Sequence, residues 1–190
     1  MDQKTSRLID ILCRVSYREG KFKLVSGKES TFYIDVKPTS LQPEGAHLIG
    51  QLAVERIKKE GLVVDGVGGL TLGADPLATG ISLAAREAGK MWPAFIVRKE
   101  PKEHGTSKYI EGTENLKSGA KLLVLEDVVT TGGSSIKAVE RLREGGYHPI
   151  AVLTVVDRLD GGGDNIKKLG MEFFALVTIE EIRKRYRDQS

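Results

Sequence analysis

The sequence predicts an α/β domain: a central, mostly parallel sheet flanked by helices, with a small hood built from the N-terminal residues. Three observations carry this. Leu122, Leu123, Val124 and Leu125 form an apolar run without polar alternation, and 150–156 is nearly as apolar; strands buried on both faces of a parallel sheet look like this. Segments with helical spacing of apolar residues separate the runs, which is the rhythm of βαβ units. Two of the strand runs also end in clusters of Gly, Thr and Ser that lead straight into helices, at 68–76 and 128–134.

The elements follow in order. Leu8, Ile9, Ile11, Leu12 and Val15 keep helical spacing, and Gly20 comes shortly after the pattern fades. Residues 22–25 and 30–37 read as two short strands around a Ser26–Gly27 turn. This helix and hairpin, up to about residue 40, precede the regular alternation and are expected to form the hood over the sheet's ligand edge. Pro43 suits the first turn of a helix reaching 59, with Ile49, Leu52, Ala53 and Ile57 inward. His47 on that helix reads as a surface or structural histidine. The first core strand is expected at 62–67, followed by the glycine-rich junction, a helix to 88 and a strand at 92–97. Beyond the 122–125 strand come a helix at 136–143 ended by Gly145 and Gly146, and the strand at 150–156. Gly161, Gly162 and Gly163 read as a flexible turn, before a short helix from 165 and a strand at 172–177. Thr178 and Glu181 stand at the spacing of a capping box that opens an amphipathic last helix.

Size and composition bound the possibilities. A chain of 190 residues suits a single domain spanning 1–190. Its 40% hydrophobic and 29% charged residues are ordinary for a globular protein. A net charge of +3 without a long basic run leaves no footprint of nucleic-acid binding. The lone Cys13 rules out an intrachain disulfide and a cysteine-cluster metal site; it reads as a small core residue of the first helix. No apolar stretch is long enough to span a bilayer, and Met1 to Arg7 lack a signal peptide's apolar core, so a cytoplasmic location is expected.

The chemistry concentrates after 122–125, where Glu126 and Asp127 precede Val128, Val129, Thr130, Thr131, Gly132, Gly133 and Ser134. A helix N-terminus offers unpaired N–H groups and partial positive charge, a ready phosphate site. Gly132 and Gly133 admit close approach of an anion, while Thr130, Thr131 and Ser134 add hydroxyls. The two acids would repel that phosphate, so they are expected to face sugar hydroxyls or Mg²⁺. Together these residues describe a ribose 5-phosphate site. The 68–76 junction suits pyrophosphate oxygens, or is merely a tight turn. It is not a dinucleotide fingerprint, since Thr71 stands where the third glycine belongs, and Gly27–Lys28 is not a Walker loop.

Residues 98–108 hold almost nothing apolar to offset their ordering entropy. A solvated charged loop is the plain reading. Yet Arg98, Lys99, Lys102 and His104 gather four potential cations, as a pyrophosphate leaving group requires, and a loop that closes on substrate would deliver them.

The 122–135 stretch resembles the phosphoribosyl-pyrophosphate (PRPP) motif of type I phosphoribosyltransferases, in which aliphatics, two acids and a Thr/Gly/Ser loop follow in fixed order. Arg98, Lys99, Lys102, His104 and Gly105 match the catalytic loop of orotate phosphoribosyltransferases, and the likeness runs from the N-terminal hairpin through Arg158. The resemblance implies the type I phosphoribosyltransferase fold with its hood, and a pentosyltransferase that joins orotate N1 to C1 of PRPP. The products are orotidine 5′-monophosphate and pyrophosphate, in pyrimidine synthesis with Mg²⁺ required. It implies a homodimer in which the 98–108 loop acts on the neighbouring subunit. Arg98, Lys99, Lys102 and His104 would hold the pyrophosphate and, with Asp127, be the catalytic residues. Glu126 and Asp127 would meet the ribose, and the loop from Val128 to Ser134 the 5′-phosphate. Thr130 and Arg158 would contact orotate, whose ring would lie against Tyr33 and Ile34. Mg²⁺ would come with PRPP, without a firm protein ligand. Some family members carry lysines where this chain has Val25 and Leu72, so only backbone contacts are expected there. A purine phosphoribosyltransferase would share the central motif but gives Arg158 no carboxylate to read. A nucleotide-sensing regulator on the same fold would carry a DNA-binding segment, and nothing here resembles one.

Overall fold

In the computed structural model, residues 2–23, 29–101 and 109–189 are described, Lys23 by its backbone alone. Helix α1 (Gln3–Val15) opens on Asp2, whose carboxylate accepts from the Thr5 amide at 3.0 Å, and it buries Leu8, Ile9, Ile11, Leu12 and Cys13. Strands β1 (Tyr17–Lys23) and β2 (Glu29–Ile34) pair antiparallel as the hood. A short α2 (Lys37–Ser40) leads into α3 (Pro43–Lys59). The alternation then runs β3 (Gly66–Leu70), α4 (Ala74–Glu87), β4 (Ala94–Val97), β5 (Ile110–Glu111), β6 (Lys121–Val129) and α5 (Gly133–Glu144). It closes with β7 (His148–Asp157), α6 (Gly162–Lys167), β8 (Glu172–Thr178) and α7 (Ile179–Gln189).

The large sheet has the order β5-β4-β3-β6-β7-β8, parallel except where β5 runs against β4. Its two faces carry separate cores, and β6 feeds both. Leu123 and Leu125 pack among residues of α1, α3 and α4, while Leu122 and Val124 pack with Ala138, Val139 and Leu142 of α5. All four are at most 1% exposed, each contributing roughly 1.5–3 kcal/mol of burial. Strand β3 is followed in the sheet by β4 on one side and β6 by β7 on the other. The order therefore reverses between β3 and β6, and the crevice outside their carboxyl ends is where such a sheet takes its ligands.

Several boundaries differ from the sequence reading. The first core strand begins at Gly66, because Leu62 closes α3 by donating to Ile57 and Asp65 donates to Lys121. The next begins at Ala94, after Pro93, which has no N–H to give. Strand β6 does not stop at the acids: its ladder with β7 continues through Glu126, Val128 and Val129. Gly20 lies within β1, and the expected strand at 30–37 ends at Ile34. Gly161 caps α6, with Gly162 and Gly163 in its first turn, where a free turn was expected. The short α2 and the two-residue β5 leave too little periodicity to see in the sequence. The capping box is present, with the Glu181 carboxylate accepting from the Thr178 amide at 2.7 Å.

Candidate active site

The loop between β6 and α5 is only Thr130, Thr131 and Gly132, since Val128 and Val129 pair with Val156 and Asp157. Gly132 has φ 84°, a left-handed turn that glycine takes without penalty. The first helical bond runs from the Ile136 amide to the Gly132 carbonyl at 2.9 Å. The amides of Gly133, Ser134 and Ser135 precede it, and no side chain caps this helix although Thr and Ser are at hand. Open amides at the positive end of a helix dipole, reached past exposed Thr131, Gly133 and Ser134, make an anion site.

The two acids have different surroundings. Glu126 is buried, 6% exposed, and Ser135 Oγ donates to its carboxylate at 3.0 Å. Burial, with the Asp127 charge adding to it, pushes the Glu126 carboxyl up to about 8 against the opposing Ser135 bond. It lies beneath the start of α5, held toward its neutral form by that burial. Asp127 is partly exposed, and its Oδ1 accepts from the Val128 amide at 2.8 Å. Lys37 Nζ stands 3.7 Å from Asp127 Oδ2 and 2.8 Å from Asp35 Oδ1. Asp35, with Asp127 adding, raises the Lys37 pKa. A lysine at the hood's foot is thereby tied to the cleft acid.

The second junction, β3 to α4, supports Asp127 from behind. A Cβ on Gly73 would lie 2.5 Å from Asp127 Cγ, so the backbone there has to stay bare for the carboxylate to hold its place. Thr71 Oγ1 donates to Asp75 Oδ2 at 2.7 Å, and the other Asp75 oxygen is buried without a hydrogen-bond partner among the described residues. Leu72 is 68% exposed at the tip.

Arg158 follows β7, and its amide donates to the Val129 carbonyl at 3.0 Å, so it stands beside the β6–α5 turn. Its guanidinium lies over the Phe32 ring at 4.7 Å, a cation–π contact. Its Nε is 3.1 Å from Asp160 Oδ2 without hydrogen-bond alignment. Tyr33 is 45% exposed, whereas Ile34 is buried in the core. Arg98 pairs with Glu111 at 3.2 Å, and Lys99 is exposed. Lys102, His104 and Val25 lie outside the described residues.

Lys37, Phe32 and Ser135 were not singled out in the sequence. Asp35 and Lys37, two apart at the end of a predicted strand, were the available signal for Lys37. Nothing local marks Phe32 or Ser135, whose partners are distant in sequence. Among the described residues no group of three or more His, Cys, Asp and Glu side chains could hold a metal ion. Carboxylates offered singly, as Asp127 is, fit Mg²⁺, which keeps several waters and takes substrate phosphate oxygens.

No protein-family model matches the chain. Curated relatives do. An orotate phosphoribosyltransferase of Nostoc sp. (strain PCC 7120) is 45% identical over 182 residues, covering 96% of this chain and 86% of the relative. One from Methanocaldococcus jannaschii is 45% identical over 184 residues, covering 96% and 98%. The chain belongs to the orotate phosphoribosyltransferase family. The crystal structure of Mycobacterium tuberculosis H37Rv orotate phosphoribosyltransferase with Fe(III) dicitrate matches at TM-score 0.83 and 36% identity, over 94% of this chain and 98% of that one. The same enzyme in complex with PRPP matches at TM-score 0.79 and 34% identity. The type I phosphoribosyltransferase fold expected from the sequence is the fold of this orotate phosphoribosyltransferase family member.

Proposed function

We propose that this chain transfers the 5-phosphoribosyl group from PRPP to N1 of orotate, releasing orotidine 5′-monophosphate and pyrophosphate in the de novo synthesis of UMP. The observation that carries the reading is the uncapped start of α5 beside Asp127, at the sheet's switch point, with Arg158 on the neighbouring strand end. The amides of Gly133, Ser134 and Ser135, with the Thr130, Thr131 and Ser134 hydroxyls, hold the 5′-phosphate. Asp127 meets the ribose hydroxyls and steadies the positive charge that develops as the C1–O bond to pyrophosphate breaks and the bond to N1 forms. Glu126, buried and held toward its neutral form, serves this site from below by accepting from Ser135. Arg158 reads the orotate carboxylate, which a planar guanidinium matches bidentately. Thr130 and the face around Tyr33 receive the ring. Lys99 and Lys102, with Arg98 and His104, take up the pyrophosphate charge. Mg²⁺ bound with PRPP would supply further neutralisation of that charge, and Asp127 would be the carboxylate to meet it.

The deciding assay follows loss of orotate at its ultraviolet band with and without PRPP and Mg²⁺. Loss that requires both supports the reading; orotate left unchanged while adenine or another purine is consumed overturns it.

We further infer a cytoplasmic homodimer in which the cationic segment serves the partner's site. Lys102→Ala and Asp127→Asn variants, each nearly inactive, should regain activity when mixed and allowed to exchange subunits. No recovery after verified exchange places the segment in its own subunit's site.

A further inference from the structure

The cationic segment 98–108 is described from Arg98 to Pro101, and Tyr109 follows it. Its base is zipped: Val97 and Ile110 pair antiparallel, and the Arg98 amide donates to the Tyr109 carbonyl at 2.7 Å. Arg141, in the last turns of α5, grips both sides of that base. Its Nη1 donates to the Arg98 carbonyl and its Nη2 to the Lys99 carbonyl at 2.7 Å. The same guanidinium lies over the Tyr109 ring at 4.0 Å. Both terminal nitrogens donate to the backbone of the first two cation-bearing residues. A planar fork suits consecutive carbonyls in a way an ammonium does not.

The geometry points to Arg141 as a positioning residue: it fixes the base of the cationic segment to the helix whose other end offers the phosphate site. This rests on the functional reading above. Helix α5 then links a subunit's own phosphate end, at Gly133, to the backbone of Arg98 and Lys99, from which the segment that serves the partner's site departs. Arg98 is additionally held by Glu111, so the Arg141 contacts matter most for where Lys99 and the residues after it begin. A cavity of ≈ 420 Å³ borders Arg141 and Tyr109, so a replacement of similar length is not forced against packed atoms.

The test compares Arg141→Met and Arg141→Lys with the wild type by isothermal titration, using Mg²⁺–pyrophosphate and, separately, ribose 5-phosphate. Methionine keeps an apolar side chain of similar length and loses the donors and the cation over Tyr109; lysine can reach one carbonyl. Pyrophosphate affinity should fall about tenfold in Arg141→Met, as loss of charge-assisted hydrogen bonds gives, and less in Arg141→Lys. Ribose 5-phosphate affinity should stay within about twofold. Unchanged pyrophosphate affinity in Arg141→Met overturns the inference. So does a matching loss of ribose 5-phosphate affinity, which would mean Arg141 holds α5 itself. A wild type that leaves orotate unchanged while showing the predicted pyrophosphate pattern overturns the functional reading and supports the role of Arg141.

Discussion

The two glycine-rich junctions, β3 to α4 and β6 to α5, are built from the same parts and differ in what they leave open. Both lead from a buried strand to a helix with no side-chain cap. At β3 the hydroxyl of Thr71 is turned back onto Asp75, and bare Gly73 lies against Asp127. At β6 the hydroxyls of Thr130 and Thr131 make no hydrogen bond among the described residues, and the preceding acid faces the cleft. One junction is a backing and the other a platform. The backing keeps the platform's acid in place.

Asp127→Asn removes the platform's charge while keeping its shape, and should lower kcat about 10²–10³-fold, as loss of a preorganised charge stabiliser does. Ribose 5-phosphate should still bind, because the α5 amides remain; lost binding in titration would show that Asp127 organises the loop as well. Arg158→Ala tests the third strand end. Orotate kcat/KM should fall ten- to a hundredfold, the cost of one charge-assisted hydrogen bond of about 1.5–3 kcal/mol. Uracil, which has no carboxylate, should lose little further. Equal losses for both bases would make Arg158 structural, through its contact with Phe32.

Gly73→Ala breaks the backing alone. Gly73 has an ordinary helical φ of −59°, so no backbone strain arises. The new Cβ would displace the end of the Asp127 side chain, and kcat should fall about tenfold, as small misplacements of a catalytic group do. The melting temperature should barely move. A large drop in stability with turnover intact would dissolve the distinction between the junctions.

The smallest effect expected on activity comes from Glu126, beneath the platform. Its folded pKa of about 8 lies above its ordinary 4.5. Across that window the folded chain keeps a proton that the unfolded chain has released, so Glu126 lowers stability as pH rises to about 8 and adds no slope beyond. Glu126→Gln should flatten the dependence. Its melting temperature should gain on the wild type more at pH 8 than at pH 5, by about 2–4 °C for each kcal/mol recovered. Parallel curves would mean Glu126 is ionised in the folded chain.

Much of this was legible in the sequence, where a signal was local. Leu122 to Leu125 announced a strand buried on both faces, and the Thr/Gly/Ser cluster after it announced an anion-binding turn. The order of strands in the sheet, which puts β3 beside β6, has no local signature. Nor has the split between Glu126 and Asp127: adjacent strand residues point to opposite faces, but which face is buried depends on α5 packing over it. Lys37 reaches Asp127 across 90 positions of sequence, a contact only the folded hood creates. Boundaries failed where backbone bonds were committed elsewhere, as at Leu62 and Pro93.

The hood is held by distant chain. Cys13 Sγ donates to the Ile182 carbonyl at 3.4 Å, Arg185 pairs with Asp10, and Tyr17 meets Tyr186 edge-on at 5.1 Å. Tyr17 in turn stacks on Phe32, beneath Arg158. These contacts join residues up to 175 positions apart, and loops that long are closed late because their entropy is lost before the contacts reward it. During synthesis α1 and the hairpin therefore have to wait for β8 and α7. The parallel sheet and its β6–α5 turn are expected to form first, and the hood to lock last.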